Sequence, residues 1–152
     1  MYPDTTIIDP ELQYGIPKEA YVSCVTDAMS HVMEHYFDGA DSMEASDAIA
    51  EALLRTLVKE APKALKNPKD YEARCNVVWC ASLALNGTPG IAGMGGNGGD
   101  WGPHGLEKGL SIIKDGPHGR GLGIMLPAWM KYVYKSDIKK FARFAENVFD
   151  IE

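Results

Sequence analysis

Apolar residues recur at every third or fourth position along most of the chain, which is the period of helices that bury one face. The segments with this period are bounded by proline, glycine or a capping residue: residues 18–38, 47–60, 68–87, 105–113, 121–134 and 136 onwards. Pro62 is expected to end the second helix, and Pro127 to kink or interrupt the fifth. The pattern therefore predicts an all-α fold, a bundle of several helices.

One short segment has a different pattern. Residues 5–8 form the only clear run of β-branched residues, and Pro10 ends it, so they predict a β-strand. A strand needs neighbours to satisfy its backbone groups, and the rest of the sequence predicts none. We therefore expect residues 1–10 to be a residual strand and linker from a missing domain, and residues 11–152 to form one helical domain.

The last predicted helix places Ile138, Phe141, Ala145 and Val148 on one face. Few residues follow that helix in the sequence to cover this face. We therefore expect that the helical domain is cut short at its C-terminus, and that the exposed apolar face promotes self-association into a homo-oligomer.

Composition narrows the possible partners and the compartment. The 152 residues carry a formal net charge of −6 without any run of Lys or Arg, which argues against nucleic acids and anionic membranes as partners. The three cysteines form no C-x-x-C motif and lie in apolar helical segments, as expected of buried thiols in a reducing compartment. No stretch approaches the roughly 20 apolar residues of a membrane span, so we expect a cytoplasmic protein.

The most glycine-rich part of the chain is a predicted loop. Seven of the fifteen residues 88–102 are glycine, and residues 93–98 match the G-x-G-x-x-G dinucleotide fingerprint. That fingerprint binds a pyrophosphate only when a strand leads into it and a helix N-terminus follows at once. Here a helix precedes it and four non-helical residues follow it. We therefore expect no residues that bind a dinucleotide cofactor in this chain.

Asp27 and His31 are the first candidate site residues. They lie four residues apart in the first predicted helix, opposite its apolar stripe, and can bind one divalent metal ion if other ligands approach. A solvent-exposed hydrogen-bonded pair is the simpler alternative. Residues 31–35 also match H-x-x-E-H, in which two histidines bind zinc and the glutamate is the general base of a metallopeptidase. That alternative requires His35 in place of Asp27.

Two further histidines, His104 and His118, lie outside the first predicted helix. Both are next to glycines at the predicted starts of helices, where a ligand can approach closely. Asp27 with three imidazoles would form a set of one oxygen and three nitrogen ligands. Such a set suits Zn²⁺ or Fe(II) rather than Ca²⁺ or Mg²⁺, which prefer oxygen ligands throughout.

Along its full length the chain resembles the metal-binding part of the iron-containing (group III) alcohol dehydrogenases, especially the butanol dehydrogenase-like branch. The resemblance rests on D-x-x-x-H at residues 27–31, followed by two histidines with thirteen residues between them. Shorter matches accompany it at residues 6–10, 46–47, 81–87, 99–101, 117–119 and 126–130. The resemblance implies the helical domain of the dehydroquinate synthase-like fold.

This resemblance implies that Asp27, His31, His104 and His118 are the four ligands of a catalytic Fe(II) ion, which zinc sometimes replaces. It also implies an NAD(P)-dependent enzyme that interconverts small alcohols and aldehydes. In the family an N-terminal α/β domain binds NAD(P), and residues 5–8 resemble its last strand. This chain alone would then be inactive for lack of that domain. A free-standing, non-catalytic metal-binding protein is the alternative.

The chain departs from the family at one position near the implied site. Relatives usually carry a histidine four residues after the first downstream ligand, and here Lys108 occupies that place. That histidine lies near the substrate and the nicotinamide in relatives, so the resemblance places Lys108 in the substrate pocket, where its ammonium group can donate to an alcohol or carboxylate oxygen. Trp101 is a second candidate for the pocket because it is close to His104 in sequence, and equally a candidate for a buried anchor of the loop.

Overall fold

The computed structural model of the protein describes residues 4–39, 43–90 and 98–151. Within these ranges the regular structure is entirely helical, with six α-helices: α1 (Lys18–Tyr36), α2 (Glu44–Lys66), α3 (Tyr71–Leu85), α4 (Gly102–Lys114), α5 (His118–Val133) and α6 (Ile138–Phe149). Short 3₁₀ turns lie at Pro10–Gln13, Thr88–Gly90 and Tyr134–Ser136. The predicted all-α fold is confirmed.

Helix α1 is the centre of the bundle. It packs against α2, α3 and α5, while α4 packs mainly on α5 and α6 packs on α2. The core between these helices is apolar, and Val32, Leu54, Leu57 and Ala84 are all fully buried in it. Burial of this apolar surface is the main favourable contribution to the stability of the bundle. Because α1 also contacts α4, side chains from α1, α4 and α5 can meet at one place.

Pro62 does not end its helix as predicted, and Pro127 does not interrupt its helix, although the predicted kink at Pro127 is not tested. Pro62 lies inside α2 and Pro127 lies inside α5, and each helix continues beyond its proline. A proline inside a helix removes one backbone hydrogen bond, but apolar residues that follow it offset this loss by burial. After Pro62, Ala64 is fully buried, and after Pro127, Trp129 packs against the core. Tertiary packing therefore outweighs the local preference at both positions.

The predicted β-strand is wrong. Residues 5–8 have no regular structure, and no strand occurs among residues 4–39, 43–90 and 98–151. The side chain of Ile7 is 92% exposed, so it has no surface to pack against. β-Branched residues favour a strand where a neighbouring strand satisfies the backbone, and the helices around this segment cannot do so.

The apolar face of α6 is covered within the chain, contrary to the prediction. Phe144 and Val148 are buried where α6 packs on α2. Phe141 stacks on Phe37 at the end of α1, with ring centroids 4.3 Å apart. Ile138 remains exposed on this face. Self-association is therefore not needed to bury the face, and the homo-oligomer stays a prediction that has lost this support.

Three smaller expectations can be compared with the structure. Cys80 is buried and Cys75 is half-buried, but Cys24 is exposed, so the expectation of a buried thiol is wrong for Cys24. The G-x-G-x-x-G match at residues 93–98 lies outside the described residues, apart from Gly98. Among the described helices, none has the length and apolar character needed to cross a membrane.

A buried carboxylate joins α6 to the rest of the bundle. Glu51 of α2 accepts hydrogen bonds from Tyr36 Oη at 2.8 Å and from Arg143 Nε at 2.5 Å. It also accepts one from Asn147 Nδ2 at 3.0 Å. Burial alone would raise the pKa of Glu51, but these donors lower it below its ordinary value of 4.5. The folded bundle therefore favours the ionised form of Glu51.

We expect Glu51 to make the bundle sensitive to acid. A carboxyl group with a lowered pKa in the folded state contributes stability that is fully present above its unfolded pKa and is lost as the pH falls through the folded pKa. The free energy of unfolding should therefore fall below about pH 4.5, and fall less in Glu51→Gln. Urea unfolding at about pH 6 and about pH 3 measures the difference, with exposed Glu72→Gln as the control. Equal pH dependence in Glu51→Gln and the wild type would contradict this role.

Candidate metal centre

The four predicted ligands come from three helices. Asp27 and His31 lie one turn apart in the middle of α1. His104 lies in the first turn of α4, and His118 is the first residue of α5. Because α4 and α5 pack on each other and both contact α1, the starts of α4 and α5 meet at the middle of α1. The structure therefore brings all four residues together.

The carboxylate of Asp27 is the centre of the cluster. Asp27, His31 and His104 each offer a ligand atom, and these atoms all lie within 4.8 Å of one another. Oδ1 of Asp27 lies 3.2 Å from Nδ1 of His31. The same oxygen lies 3.6 Å from Nε2 of His104 and 3.6 Å from Nε2 of His118. His118 is at the open side of the cluster, with 44% of its side chain exposed.

His31 and His104 each have one ring nitrogen engaged by an oxygen acceptor. Nδ1 of His31 lies 2.9 Å from the backbone carbonyl oxygen of Asp27. Nδ1 of His104 lies 2.8 Å from Oε1 of Glu34, a side chain that is 1% exposed. A carbonyl or carboxylate oxygen can only accept, so in the neutral imidazole, the form that binds a metal ion, Nδ1 carries the proton and Nε2 keeps a lone pair.

His118 is held in the same way by a second buried carboxylate. Its Nδ1 is hydrogen-bonded to Oε2 of Glu107, and Oγ of Ser111 donates to Oε1 of the same side chain. Glu107 is 1% exposed. Its acceptor oxygen likewise leaves the lone pair of His118 on Nε2, the atom that faces Asp27. Imidazoles that ligate metals in proteins typically donate their other N–H to a carboxylate or a carbonyl oxygen.

Two polar atoms of the cluster are buried without a hydrogen-bond partner among the described residues: Oδ1 of Asp27 and Nε2 of His104. An unpaired buried polar atom typically costs about 1–3 kcal/mol. A divalent cation satisfies both atoms at once, and a set of nitrogen and oxygen donors suits transition metals. The residues present therefore fit a divalent transition-metal ion such as Fe(II) or Zn²⁺.

The charges around the cluster favour a cation. Burial alone would lower the pKa of His104, but the carboxylates of Asp27 and Glu34 raise it to about 9. For Asp27 burial acts in the opposite direction and would raise the pKa, but His104 and His31 hold the pKa of this carboxyl well below its usual range. The cluster therefore attracts positive charge to its centre.

The alternative H-x-x-E-H site is not assembled in the structure. Oε1 of Glu34 accepts hydrogen bonds from the backbone N of His104 at 3.0 Å and from its Nδ1 at 2.8 Å, so this carboxylate holds His104 in place, while its Oε2 has no hydrogen-bond partner among the described residues. His35 and His118 both lie outside the group of Asp27, His31 and His104, but Nε2 of His118 is 3.6 Å from Oδ1 of Asp27, whereas His35 has no such contact among the described residues. Its ring lies edge-on to Trp101, with centroids 5.3 Å apart, and burial lowers its pKa. The geometry favours Asp27 over His35.

Trp101 lies next to the predicted ligands and anchors the preceding segment, while its place in a substrate pocket stays a prediction. Its ring lies beside the predicted ligand side chains, with ring centroids 5.7 Å from His31 and 5.3 Å from His104. Its Nε1 donates to the backbone oxygen of Gly98 at 2.6 Å, which anchors the segment before α4. Lys108 is exposed and lies one turn after His104, on the same side of α4.

The sequence did not identify the carboxylates that hold the histidines. The H-x-x-E-H pattern assigns Glu34 only the role of a general base. Its position three residues after His31 nevertheless places it on a neighbouring part of the same helix face. Glu107 contacts His118, eleven residues away and on another helix. Helical spacing predicts contacts only within one helix. The contact between Glu107 of α4 and His118 of α5 is therefore revealed only by the packing of these two helices.

Relatives of the chain identify its family. Residues 21–152 match the sequence pattern of the Fe-containing alcohol dehydrogenase family, C-terminal. The chain is 38% identical to NADH-dependent butanol dehydrogenase A of Clostridium acetobutylicum, over 100% of this chain and 38% of that protein. It is 35% identical to an NADPH-dependent aldehyde reductase of Escherichia coli, over 98% of this chain and 38% of that protein.

A solved structure agrees with these sequence relatives. The crystal structure of NADH-dependent butanol dehydrogenase A from Thermotoga maritima matches with a TM-score of 0.91 and 46% identity, over 99% of this chain and 37% of that one. The chain thus spans 38% of the length of the first curated relatives it matches. It belongs to the Fe-containing alcohol dehydrogenase family and corresponds to the C-terminal, helical part of that family.

Proposed function

We propose that this chain is the metal-binding catalytic domain of an NAD(P)-dependent alcohol dehydrogenase that interconverts small alcohols and aldehydes. The observation that carries the proposal is the convergence of three imidazoles on one carboxylate oxygen, Oδ1 of Asp27. The ligands in this proposal are Asp27, His31, His104 and His118. Relatives named as butanol dehydrogenases and as an aldehyde reductase support the class of reaction.

The proposal divides the work between two domains. Residues 11–152 form the helical metal-binding domain, and residues 1–10 link it to a nucleotide-binding domain. NAD(P) is bound mainly by that second domain, which belongs to the part of the relatives outside the matched 38% of their length. Residues 1–152 without a nucleotide-binding domain have no hydride donor and are inactive.

The residues of this chain hold the metal ion and shape its surroundings. When bound, Fe(II), or Zn²⁺ in its place, supplies a Lewis acid that polarises the oxygen of the substrate, while NAD(P) carries the hydride. The indole of Trp101 shields the His31 and His104 side of the site from water. The ammonium group of Lys108 donates a hydrogen bond to the substrate oxygen.

Elemental analysis of protein purified without a chelator tests the metal site. We expect about one iron or zinc ion per wild-type chain and none in His118→Ala. His35→Ala is the matched control, because His35 lies on the same helix as His31 but outside the ligand group. It should keep the ion. Metal lost from His35→Ala and kept in His118→Ala would assign the site to the H-x-x-E-H pair instead.

The same variants test the reaction when this chain replaces the matching part of butanol dehydrogenase A from Clostridium acetobutylicum. The chimera carrying the wild-type chain should consume NADH with butanal, and the chimera carrying His118→Ala should not. A chimera that contains the metal ion and folds normally but does not consume NADH would favour the non-catalytic metal-binding alternative.

A further inference from the structure

We propose that Glu107 is the positioning residue of His118. Its carboxylate fixes the tautomer and the orientation of that imidazole, so that Nε2 faces Oδ1 of Asp27. The inference rests on the metal site proposed above, but it concerns a contact that the protein makes without a metal ion.

His118 needs support more than His104 does. The side chain of His118 is 44% exposed, whereas that of His104 is 11% exposed. His118 also begins α5, directly after a turn in which Asp115 has a left-handed backbone with φ 44°. An exposed side chain at the start of a helix has several accessible rotamers, and a neutral imidazole has two accessible tautomers. The fold by itself therefore does not select the form of His118 that a metal ion requires.

Glu107 selects that form. It is buried, and Ser111, one turn later on α4, donates to Oε1 and so holds the carboxylate in place. Oε2 remains for the imidazole of His118. Because a carboxylate can only accept, His118 must donate through Nδ1, and the lone pair is then on Nε2. A carboxylate that holds a ligating imidazole in this way raises the affinity of that imidazole for a metal ion.

Gly121 provides the space for this contact. A Cβ at residue 121 would lie 2.5 Å from Oε1 of Glu107 and 2.7 Å from its Cγ. The side chain of Glu107 would have to move away from such a Cβ, and its contact with His118 would move with it. Gly123, two residues later on the same helix, is different, since its Cβ would lie 3.5 Å from Cγ2 of Thr26, an ordinary contact. The absence of a Cβ at residue 121 therefore leaves the space that the carboxylate of Glu107 occupies.

The ¹⁵N NMR shifts of the histidine rings in metal-free protein test the proposal, with the His118 signals assigned by means of His118→Asn. We expect only the Nδ1–H tautomer at His118 in the wild type. Glu107→Gln keeps one acceptor oxygen, and with that oxygen toward His118 and its amide NH₂ donating to the hydroxyl of Ser111 it should keep this tautomer. Glu107→Met has a similar length without an acceptor, so it should give a mixture that includes the Nε2–H tautomer. A role in packing alone would not separate Gln from Met.

Two glycine variants test the same contact with Glu107 left intact. Gly121→Ala should shift His118 toward the mixture seen in Glu107→Met, and Gly123→Ala should leave the wild-type tautomer. If Glu107→Met does not fold, Gly121→Ala decides the question. A single Nδ1–H tautomer in Gly121→Ala and in any folded Glu107→Met would overturn the proposal.

Zinc affinity, measured by competition with a chromogenic chelator, separates this proposal from the metal site itself. Glu107→Met should bind Zn²⁺ about 10–100-fold more weakly than the wild type, with a smaller loss in Glu107→Gln. If the tautomers change as expected but the wild type does not bind Zn²⁺, the positioning contact stands and the proposed metal site fails. If the wild type binds Zn²⁺ and Glu107→Met binds it equally well, the metal site stands and the positioning role is overturned.

Discussion

Gly119→Ala is expected to destabilise the protein by at least about 3 kcal/mol, although alanine is the better helix former. Gly119 lies in the first turn of α5, where this helix packs against α1. A Cβ at this position would lie 1.9 Å from the backbone oxygen of Ser23 and 2.6 Å from its carbonyl carbon. These backbone atoms belong to α1 and cannot rotate away, so the two helices must separate.

Separation of α1 and α5 would also disturb the metal centre. Ser23 precedes Asp27 by one turn of α1, and Gly119 follows His118 directly. The distance of 3.6 Å between Oδ1 of Asp27 and Nε2 of His118 should therefore increase. We expect the melting temperature of Gly119→Ala to fall by about 10 °C. Its affinity for Zn²⁺ should fall as well.

Gly123→Ala is the matched control for this change. It replaces a glycine of the same helix, but its Cβ would make an ordinary contact of 3.5 Å with Thr26. It should gain up to about 1 kcal/mol from the better helix propensity of alanine. Thermal unfolding of both variants measures the two changes in stability, a decrease for Gly119→Ala and an increase for Gly123→Ala. If Gly119→Ala were as stable as Gly123→Ala, the close approach of α5 to α1 would be contradicted.

These glycines illustrate what the sequence can and cannot predict. The helical period located most of the bundle, because burial of one face of each helix determines where apolar residues occur. The sequence Gly-Arg-Gly-Leu-Gly at residues 119–123 gives no means of telling its three glycines apart. Their differences come from what packs on them: the backbone of Ser23, the carboxylate of Glu107, or an ordinary methyl contact.

The clustering of Asp27, His31, His104 and His118 was predictable for a different reason. The spacing of Asp27 and His31 is local, and the resemblance to a family supplied His104 and His118. The prediction failed where tertiary contacts decide the outcome. Residues 5–8 lack a partner strand, and the helix around Pro62 is held by core residues beyond the proline. At Pro62 packing outweighs the local preference, whereas residues 5–8 lack the partner that a strand propensity needs.

Asp27→Asn is expected to weaken binding of Fe(II) or Zn²⁺ by at least a hundredfold, about 3 kcal/mol, which is roughly the share of one ligand among four. Oδ1 of Asp27 lies within 3.6 Å of a ring nitrogen of all three histidines, so no other side chain of the cluster can replace it. Asparagine has the same shape but no charge. The fold should therefore persist while the only anionic ligand is lost.

The variant also has an effect that does not depend on metal. In metal-free protein the carboxylates of Asp27 and Glu34 together raise the pKa of His104 against the effect of burial. With asparagine at position 27 only Glu34 opposes the effect of burial, so the pKa of His104 should fall below about 9 in an NMR titration.

Asp115→Asn is the control, because it removes the same charge from an exposed position whose left-handed backbone asparagine tolerates well. It should change neither the pKa of His104 nor the metal affinity. A lowered pKa together with unchanged metal affinity in Asp27→Asn would mean that Asp27 is a neighbour of His104 without being a ligand, and the site would then have to be built from the imidazoles alone.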